Sequence, residues 1–162
     1  LQVDISDSPA TVKITFDPTA ITAYGGLYSD LPQNFVFAGA GEVAQIALGD
    51  TMPSFNTVLG SNAVQIVFTG DYEVNFMIRI RALSAASVFA GVRVGSTSFI
   101  PSTYQTSPLS LTEVTAFQGS IITALNSGDS LNLALVAAGP SSIDLAANVN
   151  ASLSVKRLML TP

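Results

Sequence analysis

Thr69-Gly70-Asp71-Tyr72-Glu73-Val74-Asn75-Phe76-Met77-Ile78-Arg79-Ile80-Arg81 opens on a turn and then alternates with a period of two. Successive side chains of an extended strand point to opposite sides. Tyr72, Val74, Phe76, Ile78 and Ile80 therefore share one face, and Glu73, Asn75, Met77, Arg79 and Arg81 share the other. The first face can fill the core of a sandwich. The second is amphipathic and carries two of the six basic residues of the chain, which suits neither a fully solvated surface nor a second apolar core. It reads as an assembly face.

The composition around this strand points the same way. A chain of 162 residues can bury one real core. With charged residues at 10% and a mean hydropathy of +0.49, it is expected to hide surface in an oligomer. Apolar runs stay far short of the roughly 20 residues that span a bilayer, so no membrane insertion by a helix is expected. No signal-peptide pattern is visible, and a chain opening at Leu1 without Met reads as an excised or processed piece. Zero Cys removes disulfides, thiolate catalysis and thiolate metal sites. Zero His removes the commonest general base and transition-metal ligand. A net charge of -5 with scattered Lys and Arg, and no Trp, argues against nucleic acid as a partner.

Turn signals recur every eight to twelve residues, among them Asp17-Pro18, Gly25-Gly26, Gly39-Ala40-Gly41, Gly70-Asp71, Gly95-Ser96, Ser107-Pro108 and Gly139-Pro140. The short runs between them are rich in Val, Ile, Phe, Thr, Ala and Leu, which indicates an all-β sandwich or barrel. Strands are expected at about 11-16, 24-28, 34-38, 43-48, 55-59, 63-68, 71-83, 87-94, 97-100, 112-125, 130-137, 142-146 and 149-159. Segment 82-90 has a helical alternative in its alanines, but no cap and strands on both sides. Asn126-Ser127-Gly128-Asp129 reads as the tight turn of a hairpin into an alternating strand.

Tyr24-Gly25-Gly26-Leu27-Tyr28, Phe55-Asn56-Thr57, Gly70-Asp71-Tyr72, Gly128-Asp129-Ser130-Leu131 and the closing Asn148-Val149-Asn150-Ala151-Ser152-Leu153-Ser154-Val155-Lys156-Arg157-Leu158 occur in that order. Together they resemble the C-terminal domain of BclA-type collagen-like glycoproteins of bacterial spore surfaces. That resemblance covers roughly 24-160 and implies a jelly-roll β-sandwich of the C1q/TNF-like type. It also implies a homotrimer at the tip of a collagen-like stalk, in the exosporium or at an extracellular or cell surface. The domain is expected at 24-162, with 1-23 as an N-terminal extension, an added edge strand or an arm. The chain departs from the pattern in having no Gly-X-Y repeat, so any stalk would lie upstream.

By the same analogy 24-28, 71-83, 112-125 and 149-159 form the inner sheet, which faces the threefold axis. In 112-125, Phe117, Ile121 and Leu125 share one parity and Val114, Ala116, Ile122 and Ala124 the other, as expected of a strand covered on both faces. The trimer interface is expected to include Tyr24, Tyr28, Glu73, Asn75, Met77, Arg79, Arg81, Val114, Ala116, Asn150, Ser152 and Ser154. Small polar side chains in the last strand would let sheets of different subunits approach closely.

Chemistry fares poorly against these readings, and no catalytic residue is assigned. A Ser nucleophile would need Lys13 or Lys156 as its base. Glu73 and Glu113 could pair as in glycoside cleavage, but ion pairs with Arg79 and Arg81 are the simpler reading. Asp30, Asp50, Asp71, Asp129 and Asp144 offer oxygens for Ca2+ without the spacing of a calcium loop, so no cofactor or metal is expected. Asn150-Ala151-Ser152 matches a glycan acceptor, but its mid-strand position would hide it. Tyr24, Tyr28, Phe35 and Phe37 could form a carbohydrate platform, with core and subunit packing as the favoured reading. Two further functions stay open: a glycan- or host-protein-binding module using loops near 100-110 or 39-53, and a phage or viral spike head.

Overall fold

The computed structural model describes residues 21–84, 86–111, 113–145 and 148–158, together with the backbone of two short strands, β1 (Gln2–Asp4) and β2 (Lys13–Thr15). The described regular structure is β-strand throughout, apart from one 3-10 turn at Pro101–Thr103. β1 and β2 pair with each other antiparallel, as a two-stranded sheet of their own.

The remaining strands form two seven-stranded antiparallel sheets. The inner sheet contains β3 (Tyr24–Ser29), β4 (Asn34–Phe37), β6 (Asp50–Thr51), β9 (Gly70–Ala82), β13 (Val114–Leu125), β15 (Ser141–Leu145) and β16 (Ala151–Arg157). β9 is its spine. β13 pairs with it along almost its whole length, from Val114 opposite Arg81 to Leu125 opposite Gly70. On the other edge β15 and β16 lie end to end, with Leu145 opposite Ile80 and Ala151 opposite Ile78. Only Arg79 separates those two pairs on β9, and its N–H donates to the Asn150 carbonyl at 2.7 Å. β3 and β4 follow the same division, β3 on β16 and β4 on β15.

The second sheet contains β5 (Val43–Gln45), β7 (Thr57–Gly60), β8 (Ala63–Ile66), β10 (Ala86–Val94), β11 (Ser98–Phe99), β12 (Gln105–Leu109) and β14 (Ser130–Ala137). Its centre is the β10–β14 pair, which runs from Val88 opposite Ala137 to Val94 opposite Leu131. Both sheets turn one parity inward. Tyr72, Val74, Phe76, Ile78 and Ile80 of β9 pack with Leu153 and Val155 of β16, Val88, Ala90 and Val92 of β10, and Leu131, Leu133 and Leu135 of β14. Burying each of the larger side chains contributes about 1.5–3 kcal/mol. The alternation of 71-83 thus has the expected orientation.

The expected inner-sheet strands are all found, and 82-90 shows no helix where it is described: β9 ends at Ala82, 83 and 84 form a bend, and β10 starts at Ala86. Three expectations need correction. The Asn126-Asp129 turn is present, with Gly128 at φ +94 and the Asp129 carboxylate accepting from the Asn126 N–H at 2.8 Å, yet it makes no hairpin. It carries the chain from β13 in one sheet to β14 in the other. β14 does not alternate either, because Leu131 to Leu135 are all buried. Finally, β12 and the short β6 were not foreseen. Ser107-Pro108 reads as a turn, but Pro108 sits opposite Ser87 in a strand that pairs only with β10, where its missing N–H costs no ladder bond.

Candidate functional site

The alternation that buries Tyr72 through Ile80 turns Glu73, Asn75, Met77, Arg79 and Arg81 outward, and the register of the inner sheet sets neighbours beside them. Five cross-strand rows result, the fifth being that of Arg81. Tyr24, Lys156, Glu73 and Ile122 form the first, and Gly26, Ser154, Asn75 and Ser120 the second. Tyr28, Ser152, Met77 and Gln118 form the third. In the fourth, Ala116 stands opposite Arg79, and beyond it Val114 stands opposite Arg81, with Asp144 on the other side of Arg81. The second row carries the smallest side chains, so a neighbouring surface could come closest there. Large apolar groups lie around it: Ile122 is 70% exposed and Val114 47%. Val36 on β4 and Leu83 just past β9 extend the apolar area.

Eleven of the twelve expected interface residues lie on this face. Asn150 does not. It is buried within the subunit, where its amide donates to the Leu31 carbonyl at 2.8 Å and its backbone N–H to the Ser29 carbonyl at 2.9 Å. It ties the loop after β3 to the start of β16.

The expected ion pairs also rearrange. Glu73 and Arg79 are six residues apart on one strand, roughly 20 Å, too far to meet. Glu73 instead accepts from the Ser120 hydroxyl at 3.4 Å. Arg81 donates to Asp144 on β15 at 2.6 Å, and this hydrogen bond holds the guanidinium pKa above its ordinary value. The neighbour that matters comes from the edge of β9 opposite the one expected. Glu113 precedes Val114, which faces Arg81, whereas Ile122 faces Glu73. Glu73 and Glu113 therefore sit at opposite ends of the β9–β13 pair, on the order of 30 Å apart along the strands. Paired glycosidase carboxylates stand roughly 5 to 10 Å apart.

The aromatic platform is divided between faces. Phe37 is buried and Phe35 packs against the core with ring centroids 6.5 Å from it, while Tyr24 meets Phe55 at 6.3 Å. The loop aspartates do not converge, and among the described residues no three Asp or Glu side chains meet as a metal-holding group. Among the same residues no helix is long and apolar enough to cross a membrane.

No protein-family model matches the chain, and no curated protein matches it. Solved structures do. A crystal structure of murine APRIL at pH 8.0 superposes with a TM-score of 0.55 at 11% identity, covering 85% of this chain and 100% of that one. Eiger TNF from S. frugiperda superposes with a TM-score of 0.50 at 14% identity, covering 88% and 94%. The fold is a TNF-like jelly roll. At such low identity the likeness concerns architecture alone. In the jelly roll of this chain, what sequence reasoning missed on the outward face is Val36, Leu83, Gln118, Ser120 and Asp144. The parity of 112-125 already put Ile122 with Val114, whereas Val36 and Asp144 reach the face only through the end-to-end arrangement of β15 and β16.

Proposed function

We propose that this chain is a non-enzymatic structural head domain that assembles as a homotrimer through the outward face of β3, β16, β9 and β13. The observation that carries the reading is the make-up of that face. It is long and regular, with its charged residues in the rows of Glu73, Arg79 and Arg81, two uncharged rows centred on Asn75 and Met77 between them, and exposed Ile122, Val114, Val36 and Leu83 around these. An interface core depleted of charge inside a polar rim has the same arrangement as these two middle rows between charged ones, and an obligate interface buries on the order of 2,000 Å² or more. The TNF-like architecture supports the reading, since the face belongs to hydrogen-bonded strands of one sheet rather than to loops. The resemblance to collagen-like spore-surface glycoproteins supports placing such a head outside the cell, on a bacterial spore or cell surface, at the end of a stalk supplied upstream.

Solution mass tests the proposal. Sedimentation equilibrium of the purified chain at micromolar concentration is expected to give three times the 16.8 kDa of one subunit. Met77→Glu puts a charge at the centre of the third row and is expected to give the single-chain mass with unchanged far-ultraviolet circular dichroism. A single-chain mass for the unaltered protein would remove the trimer.

A further inference from the structure

The second sheet carries a cluster on its own outward face that the assembly reading leaves unused. β10 sends Val88, Ala90 and Val92 into the core, which leaves Phe89, Gly91 and Arg93 on the opposite parity. The strand beside it leaves its regular ladder at 100–104. There the Val92 N–H donates to the Thr103 hydroxyl oxygen at 3.0 Å, and that hydroxyl donates to the Ile100 carbonyl at 2.8 Å. Residue 91 has to be glycine for this to fit, because a Cβ would stand 2.9 Å from the Thr103 carbonyl oxygen. The next residue, Tyr104, lies parallel to the Phe89 ring at 5.1 Å between centroids and against Phe99 at 4.7 Å, yet stays 41% exposed.

Arg93 completes the cluster. Its guanidinium carbon lies 5.9 Å from the Phe99 ring centroid, and its Nε donates to Asn132 Oδ1 at 3.2 Å. Asn132 is held in turn by donating to the Gly95 carbonyl at 2.7 Å. Arg93 is only 7% exposed. No carboxylate pairs with it among the described residues, and burial alone pulls its pKa below the ordinary arginine value. Its two terminal nitrogens have no protein acceptor there, but they are not sealed from solvent. A cation taken out of water without a counter-charge is costly. A pre-oriented guanidinium fork is shaped for a carboxylate.

We infer that this cluster binds a carboxylated sugar, a uronic or sialic acid residue of a glycan, with the pyranose against the Tyr104 ring and its carboxylate on the terminal nitrogens of Arg93. The two halves of the cluster choose that occupant together. A neutral sugar would use the ring and leave the cation unpaired, while a simple anion would pair with the cation and leave the ring idle. Few placed polar groups beside aromatic rings is also the usual make-up of a small-ligand site. The site lies on the sheet opposite the assembly face, so it stands whether or not the chain is a trimer.

The test is a titration of the full chain, labelled with nitrogen-15, with D-glucuronate and N-acetylneuraminate, using D-glucose and acetate as controls. The Arg93 Nε–H resonance and the Tyr104 ring protons report. Both acidic sugars are expected to shift both signals saturably, at least about tenfold more tightly than either control. Tyr104→Ala, which alters an exposed ring, and Arg93→Met, which keeps the aliphatic stem, are each expected to reduce the acidic sugars to the level of the controls. If Arg93→Met does not fold, Tyr104→Ala and the selectivity of the unaltered chain decide. Equal responses to glucuronate and glucose, equal responses to glucuronate and acetate, or no saturable shift would each overturn the assignment.

Discussion

Tyr72 shows how one side chain joins packing to titration. Its ring is fully buried, and its hydroxyl donates to the Phe68 carbonyl at 2.7 Å. Ionising it would place an anion in the core, so desolvation raises its pKa above the ordinary tyrosine value, with the charge of Arg157 opposing in part. The folded state therefore holds this proton more tightly than the unfolded chain. The stability from Tyr72 is complete below about pH 10 and is lost as pH rises through the higher folded value. Tyr72→Phe is expected to cost about 1 kcal/mol at neutral pH through the lost hydrogen bond. Denaturant titrations at pH 7 and pH 11 should show the gap to the unaltered chain closing at the higher pH. A gap independent of pH would contradict this account. Asn150 teaches a different lesson at the same scale. Its sequence neighbours place it on a polar parity, but the break between β15 and β16 turns it inward to bond with Leu31 and Ser29.

Among the elements, β13 separates folding from assembly most clearly. Phe117 and Leu125 are buried against the sandwich and Ile121 packs beside them, while Val114 and Ile122 on the other parity are open. Both parities are apolar, but only one is needed by a single subunit. Phe117→Ala is expected to cost about 3–5 kcal/mol, because the core cannot close over the missing ring. Ile122→Ala is expected to change the stability of a dilute single subunit by less than about 0.5 kcal/mol. Urea denaturation at low concentration distinguishes them, and a large loss from Ile122→Ala there would mean that the residue is part of the subunit's own core. Edge elements behave differently. β12 tolerates Pro108 because it pairs on one side only, which is why a turn-like dipeptide hides a strand in the sequence.

For the molecule as a whole, low charge and a hydrophobic average predict how association responds to solvent. Apolar burial is insensitive to screening, whereas exposed charges are screened from one another once they stand farther apart than the Debye length, roughly 3 Å at 1 M salt. The associated mass is therefore expected to be the same in 0.05 M and 1 M NaCl, and the melting temperature to rise with protein concentration. Dissociation by salt would assign the contact to Arg79, Arg81, Glu73 and Lys156 instead of the apolar groups. How much of this was legible in the sequence follows from the range of each interaction. Period-two alternation is local, so 72 to 80 announced its inward face, 114 to 125 its two parities, and the turn chemistry most strand limits. The all-β class and the outward placement of eleven of the twelve residues expected there came from those signals together with the resemblance they carry. What no local pattern contains is which strand lies beside which. The pairing of Arg81 with Asp144, the passage of the chain from one sheet to the other at Asn126-Asp129, the burial of Asn150, and the meeting of Phe89, Arg93, Phe99 and Tyr104 were decided by tertiary structure. Each depends on register between segments far apart in the chain, and register is chosen by the packing of the whole core.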